Sequence, residues 1–196
     1  SLIFTRSYRS ALLITTPTPT PSLVKTSLYR LPCFPSGCVI FDFENGNLQG
    51  WVKTGNAFNA QPTYGDNPTL RGYDHPANQS GDWWIGTFEF RPNPSSPIGY
   101  QGDNPTGTLT SPQFTIKGSR ISFLIGGGCA MNTSRAELLV NNAVVAKATG
   151  LCEETMNEQH WDVKEYGGKT AALRLIDSSS DGWGHINFDH LVNESC

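Results

Sequence analysis

The sequence has no run of lysine or arginine, no apolar stretch near the length of a membrane span, and no sustained helical period. Each absence removes a class of function. Lys and Arg number 14 against 17 Asp and Glu, a net charge of −3, so the basic footprint of a nucleic-acid binder is missing. A spanning helix needs about 20 apolar residues, so any membrane anchor is expected outside this chain. Neither G-x-S-x-G nor H-E-x-x-H occurs, and His75, His160, His185 and His190 are scattered. The cysteines lack zinc-ligand spacing. Gly126-Gly-Gly-Cys129 is not followed by Lys-Ser/Thr, so it reads as a bulge or a close backbone crossing rather than a phosphate loop.

What is present is a loop-rich chain able to bury a core: 37% hydrophobic residues, 11% aromatic, 20 Gly and 13 Pro. Short alternating segments separated by Gly, Pro and Asn turns predict an all-β domain, an antiparallel jelly-roll sandwich from Cys38 to Leu191. Asp181 to Leu191 reads as a half-buried closing strand, with Ile186 and Phe188 alternating with Asn187 and Asp189. Far upstream, Cys38 to Glu44 alternates too, with Val39, Phe41 and Phe43 on one face and Ile40, Asp42 and Glu44 on the other. Pairing of these two strands would open and close the domain with one ladder and bring Glu44 to Asp189. Between them, Asn56 to Gly107 reads as long loops interrupted by an aromatic strand over Asp82–Phe90. Trp83, Ile85, Thr87 and Glu89 fall on one face of it, and Trp84, Gly86, Phe88 and Phe90 on the other. Further strands are expected at 114–116, 120–125, 136–140, 143–146, 161–163 and 171–176, with an Asn141-Asn142 hairpin turn.

The first 37 residues read as a separate N-terminal arm. Thr15 to Ser22 alternates Thr and Pro, which favours a stiff polyproline II spacer and a site for O-glycosylation. The chain begins with Ser, which suggests a processed product or a fragment of something larger. Three sequons, at Asn78, Asn132 and Asn193, accompany five cysteines, and together they point to a secreted or cell-surface glycoprotein. Cys129 and Cys152 flank the Asn-Asn hairpin. A bridge between them closes a loop that stabilises the domain by about 3 kcal/mol in the chain-entropy model. Cys196 is within reach of either Cys33 or Cys38 if the terminal strands are neighbours.

The series Phe41-Asp-Phe-Glu-Asn-Gly-Asn-Leu-Gln-Gly-Trp51, Gly81-Asp-Trp-Trp-Ile-Gly86, Leu109-Thr-Ser-Pro112 and Gly184-His-Ile-Asn-Phe-Asp189 resembles a MAM-type jelly-roll. It is still more similar to the sandwich module appended to secreted glycoside hydrolases that cleave sucrose and fructans. The resemblance covers Cys38 to Leu191. One departure is Gln49, which stands where MAM domains have Cys, so that family's first disulfide cannot form in the usual way.

The resemblance implies an accessory rather than catalytic module. It also implies a structural ion between the terminal strands, for which Asp42, Glu44 and Asp189 offer the oxygen ligands calcium prefers; the other reading makes them solvated strand residues. A glycan site would combine an aromatic platform with hydrogen-bonding groups at strand ends. Trp83 or Trp84 is the candidate platform, with Arg135, Asp181, Trp183 and His185 supplying the rest. Against it stand core packing of the tryptophans and pairing of Arg135 with a carboxylate. The expected function is a non-catalytic extracellular adhesion or recognition module for a glycan or a neighbouring glycoprotein. Alternatives are a structural subunit of an extracellular matrix or surface filament assembled through the N-terminal arm, and an accessory domain of a secreted glycoside hydrolase.

Overall fold

The computed structural model describes residues 37–196. The N-terminal arm, its Thr/Pro spacer and Cys33 lie outside the described residues. The strands in chain order are β1 (Cys38–Phe41), β2 (Val52–Gly55), β3 (Thr63–Tyr64), β4 (Trp83–Gly86), β5 (Gly107–Thr110), β6 (Phe114–Thr115), β7 (Arg120–Gly127), β8 (Ser134–Val140), β9 (Ala143–Ala148), β10 (Glu153–Asp162), β11 (Thr170–Asp177) and β12 (Ile186–Asn193). Helix among the described residues amounts to one turn, α1 (Asn67–Leu70), and a 3-10 turn at Lys164–Tyr166.

Two six-stranded antiparallel sheets face each other. The first runs β10-β7-β12-β4-β3, with β1 also on β12; the second runs β2-β5-β11-β8-β9, with β6 on β11. From β9 onward the chain passes from one sheet to the other at each connection, as a jelly-roll requires. Inward-facing residues of both sheets, among them Ile85, Phe123, Ile125 and Phe188 from the first and Leu109, Leu138, Leu173 and Leu175 from the second, make one core.

The ladder expected between the chain's first and last strands is present. Cys38 lies opposite Asn193, Val39 opposite Val192 and Phe41 opposite Leu191. The Cys38–Cys196 disulfide fastens its end and the Cys129–Cys152 disulfide fastens the β7–β8 and β9–β10 connections. Of the two partners open to Cys196, the structure takes Cys38. Asn141 and Asn142 both have positive φ, 51° and 63°, as a two-residue type I′ turn between β8 and β9 requires. The glycine run is a close backbone crossing: a Cβ on Gly128 would meet the Trp183 carbonyl oxygen at 2.3 Å, and one on Gly126 would meet the Thr155 carbonyl oxygen at 3.0 Å.

Four details depart from the sequence pattern. Alternation in β1 breaks at a bulge between Val39 and Phe41, so Val39 is exposed while Ile40 and Phe41 both pack on the core. Phe43 follows with a φ of 59° and its ring buried. The aromatic strand stops at Gly86, where the Glu89 N–H turns back to the Gly86 carbonyl at 2.9 Å. Strand β10 runs ten residues from Glu153, although only Trp161 to Val163 carried a strand signal. It is an edge strand, and an edge tolerates the polar sequence Asn-Glu-Gln-His on its open side.

The fourth departure matters most. Strand β12 is not half-buried: Asn187 and Asp189 are each 0% exposed, like Phe188 between them. Loops of the long 56–107 segment, residues 66–80 above all, fold over the outer face of the first sheet around β12 and the start of β10 and shut that part from water. Trp84 is the keystone of that cover. Its ring lies over Gly86, where a Cβ would meet it at 2.4 Å, and it packs with Ala77, Leu124 and Met156 in a second apolar cluster. Its indole N–H donates to the Gly65 carbonyl at 2.9 Å. Side-chain amides tie the cover down further: buried Gln61 exchanges hydrogen bonds with the Gly86 N–H and carbonyl, and half-buried Gln101 donates to the Ala57 and Thr87 carbonyls.

Replacing Trp84 by Ala is expected to cost about 3–5 kcal/mol of unfolding free energy, the range for emptying a fully enclosed aromatic site. Urea denaturation checks it. A loss below about 1 kcal/mol would mean that the 56–107 cover is not anchored by this ring.

Candidate functional site

Closing the outer face of the first sheet creates an electrostatic problem, and its solution is the candidate site. Glu154 projects from β10 and Asn187 from β12 onto that face, and both are buried. A buried carboxylate needs a cation or several donors. Arg71 comes from the cover, and Asn187 and His185 from β12 and the loop that enters it. Asn187 Nδ2 donates to Glu154 Oε2 at 3.1 Å, Arg71 Nη2 lies 3.5 Å from Glu154 Oε1, and His185 Nε2 lies 3.6 Å from Glu154 Oε2. Arg71, one residue beyond α1, also grips Glu89 with two nitrogens, Nε at 3.2 Å and Nη2 closer. His185, on the loop entering β12, places Nδ1 2.7 Å from Asp103 Oδ1. The result is a continuous chain of charges, Glu89–Arg71–Glu154–His185–Asp103, running under the loops.

Burial sets the proton affinities along this chain. Burial opposes a charge on His185, but the Asp103 and Glu154 carboxylates outweigh it and push the imidazole up to about 9. It is therefore an imidazolium at neutral pH. The same contact holds Asp103 below the usual carboxylate range, and Glu154 is held low against its own burial by His185, Asn187 and Arg71. Burial pushes Glu89 up to about 7 despite Arg71. Burial also pushes nearby Asp177 up to about 7, against a hydrogen bond from the Thr87 side chain.

Aromatic rings stand over this network. Phe88 and Tyr100 stack at 5.4 Å with planes 14° apart, and the Arg71 guanidinium lies 4.9 Å from the Phe88 centroid. The Phe88 ring is 5.2 Å from His185, and Trp183 lies 5.4 Å from His185 on another side. Tyr100 is 66% exposed. Beside them Tyr73, His75, Glu153, Glu154 and Thr155 line a recess of about 360 Å³.

The candidates named from sequence scatter over this geometry. Trp183 and His185 are side by side, with Asp181 exposed two residues before Trp183. Trp84 is 0% exposed and has no face for a ligand; a ring of that size on the covered side of the sheet is needed to fill it. Trp83 is half-buried against the main core, with Tyr64 edge-on at 5.2 Å. Arg135 lies on the second sheet, where its Nε is 2.7 Å from Glu137 Oε1 and its Nη1 donates to the Asn132 carbonyl. Glu137 also binds Arg174, and these two arginines hold it below the usual range against its burial. No contact joins the Arg135 guanidinium to His185 among the described residues; only the Ser134 hydroxyl links them, donating to the His185 carbonyl at 2.6 Å. Of the sequon asparagines, Asn132 is exposed, Asn78 is half-buried and donates to the Met156 carbonyl, and Asn193 is 4% exposed with its amide bonded to Lys117 and Thr115.

Glu44 and Asp189 do converge, on the loop from Ser80 to Trp83. Glu44 accepts the N–H groups of Asp82 and Trp83, and Asp189 Oδ2 accepts that of Ser80 at 2.7 Å. Gly81 sits between them; a Cβ there would lie 2.5 Å from the Glu44 carboxyl carbon. Burial raises Asp189 well above the usual range, with Glu44 and Asp42 adding to the shift. Among the described residues no set of three or more His, Cys, Asp or Glu is arranged to hold a metal ion. Backbone N–H groups of the 80–83 loop occupy the carboxylate oxygens of Glu44 and Asp189.

Arg71, Phe88, Glu89, Tyr100, Asp103 and Glu154 were not picked out by sequence reading. One signal was available for Glu89: an acid on the same face as Trp83 and Ile85 has to meet a cation if the strand pattern holds.

No protein-family model matches the chain. It is 36% identical over 158 residues to "Putative glycosyl hydrolase ecdE" of Aspergillus rugulosus, an alignment covering 79% of this chain and 20% of that protein. The chain thus spans about one fifth of the fungal protein. Among solved structures, the K3 cleaved adhesin domain of Lys-gingipain from Porphyromonas gingivalis aligns with a TM-score of 0.42 at 18% identity, over 81% of this chain and all of that one. TmCBM61, solved in complex with β-1,4-galactotriose, aligns with a TM-score of 0.43 at 15% identity, over 77% and 92% of the two chains. At such scores neither carries the functional reading.

The charge chain predicts a pH profile. Stability contributed by His185 is complete below about 6.5, its unfolded value, and is lost as pH rises through about 9. Glu89 and Asp177 bind protons more tightly when folded, so they withdraw stability between the ordinary carboxylate range and about 7. Asp103, Glu137 and Glu154 act oppositely, losing their contribution only as pH falls through their lowered values. The melting temperature is expected to peak near pH ~5 and to fall toward pH ~9. In His185→Gln the decline above pH ~6.5 should flatten; an identical slope in wild type and variant would contradict the assignment.

Proposed function

We propose that this sandwich is a secreted, non-catalytic glycan-recognition module, an accessory unit of a glycoside-hydrolase-type polypeptide. The observation that carries the reading is the exposed Tyr100 ring stacked on Phe88, with the Arg71 guanidinium near both rings, over the buried charge chain from Glu89 to Asp103. A sugar ring stacks its C–H face on an aromatic plane, and polar groups at the rim fix its hydroxyls. Each carboxylate of the network is held by arginine, imidazolium or amide, a structural arrangement that keeps the loops in place. Kinship with a stretch covering one fifth of a far longer fungal protein supports an appended unit, the remainder of that protein lying outside the aligned segment. Two disulfides support an oxidising, extracellular setting, and Asn132 is the sequon best placed to carry a glycan.

The full chain on a glycan array is expected to bind a restricted set of oligosaccharides, and Tyr100→Ala should weaken binding at least tenfold with its melting temperature unchanged. Retention of full binding in Tyr100→Ala would remove this surface. Absence of any glycan binding, with concentration-dependent self-association in sedimentation, would favour the filament subunit instead.

Calcium at Asp42, Glu44 and Asp189 belongs to the same proposal. It is supported by the convergence of Glu44 and Asp189 on one loop and by the raised proton affinity of Asp189, which a divalent cation would reverse. Excess chelator should lower the melting temperature relative to millimolar calcium; superimposable curves, with a metal-free sample as control, would discard the ion.

A further inference from the structure

A second recess, of about 570 Å³, lies over the end of β1 and the turn that leads to β2. It shares no residue with the Tyr100 surface. Phe41 and Trp51 form its apolar wall, ring centroids 4.8 Å apart and edge to face, and both rings remain partly exposed. Asp42, Asn45, Asn47 and Gln49 supply its polar lining. These side chains divide into two kinds. Asp42 and Asn47 are held by local turns, with Asp42 Oδ1 accepting the Glu44 N–H at 3.2 Å and Asn47 Oδ1 accepting the Gln49 N–H at 3.0 Å. Asn45 and Gln49 are exposed, and their amides make no hydrogen bond within the described residues. Two uncommitted amides, each able to donate and accept, therefore face a recess with aromatic walls.

We infer that this recess is a binding site for a neutral oligosaccharide of two to three pyranose or furanose units. Its volume suits a small ligand of that size. An amide offers a paired donor and acceptor, which is the complement of two neighbouring hydroxyl groups, while Trp51 offers a face for the ring's C–H groups. Among the described residues the lining has no cation and one carboxylate, Asp42. That composition disfavours uronates and sulfated sugars and leaves neutral hydroxyls as the matching chemistry. Gly50 has a φ of 83°, and a Cβ there would press on Pro112 at 3.2 Å; the close turn is what presents Gln49 and Trp51 to the same recess.

The inference takes its ligand class from the glycan-binding reading, but the two surfaces are separable. The full chain would be titrated with neutral trisaccharides (cellotriose, galactotriose, fructotriose), with trigalacturonate, and with a peptide of the Thr15–Ser22 sequence. Indole N–H resonances would be followed by NMR, that of Trp51 being assigned from Trp51→Phe. A neutral trisaccharide is expected to shift the Trp51 resonance, an effect weakened at least tenfold in Asn45→Ala/Gln49→Ala and preserved in Tyr100→Ala. Unchanged affinity at Trp51 in the double variant would overturn this site while leaving the Tyr100 surface standing. A Trp51 shift with trigalacturonate or the peptide, and none with neutral sugars, would overturn the ligand class. No binding of any sugar to wild type would overturn both readings.

Discussion

Around β12, β4 and the start of β10 the first sheet is closed to water on both faces, and most other features of the molecule follow from that constraint. A sheet in a two-layer sandwich ordinarily leaves its outer face to solvent and carries polar side chains there without cost. Here the 56–107 segment lies on that face. Asn187, Asp189 and Glu154, which would otherwise be hydrated, have lost water and must find partners inside the protein. The cover provides them through Arg71 and the Ser80 N–H, and the loop entering β12 contributes His185. Trp84, reaching back onto Leu124 and Met156, supplies the apolar contact that makes the closure favourable.

The charge chain is therefore first an answer to desolvation. Removing one partner from it leaves a buried charge uncompensated, which costs more than the pair contributed. This couples local chemistry to the shape of the surface above. The stacked Phe88–Tyr100 pair and the Arg71 guanidinium are held in register by groups beneath that cannot move independently. A rigid ring presented on a fixed base is what a weak, shallow ligand such as a sugar requires, since little ordering entropy remains to be lost on binding. Under the proposed glycan reading, rigidity of the base and recognition at the rim would be two aspects of one arrangement.

The two acidic residues drawn together by the terminal ladder show the same logic in a smaller space. Glu44 and Asp189 come from opposite ends of the domain and each takes backbone N–H groups from the same loop, with Gly81 between them because no Cβ fits. They pin the cover along its second edge. The disulfide at Cys38–Cys196 secures the same ladder covalently and closes a separation of 158 residues. In the chain-entropy model a loop of that length is worth about 5 kcal/mol.

Much of this was legible in the sequence, because it depends on local chemistry. Alternating apolar residues marked β1, β7, β8, β11 and β12; Asn141-Asn142 marked a turn whose geometry only residues tolerant of positive φ can adopt; the glycine run marked a backbone crossing. Cysteines flanking a hairpin identified their own partner. What the sequence could not reveal is which polar residues would be stripped of water. Asn187 and Asp189 have the pattern of a solvated strand face, and only the fold of a segment a hundred residues away makes them interior. The same holds for Trp84 and Arg135, whose type suggests binding and whose surroundings make one a core residue and the other half of an ion pair with Glu137. Side-chain type and spacing determine strands and turns because those are set by neighbours in the chain. Burial, and with it charge state, partner and exposure, is set by neighbours in space, and so was decided by the tertiary structure alone.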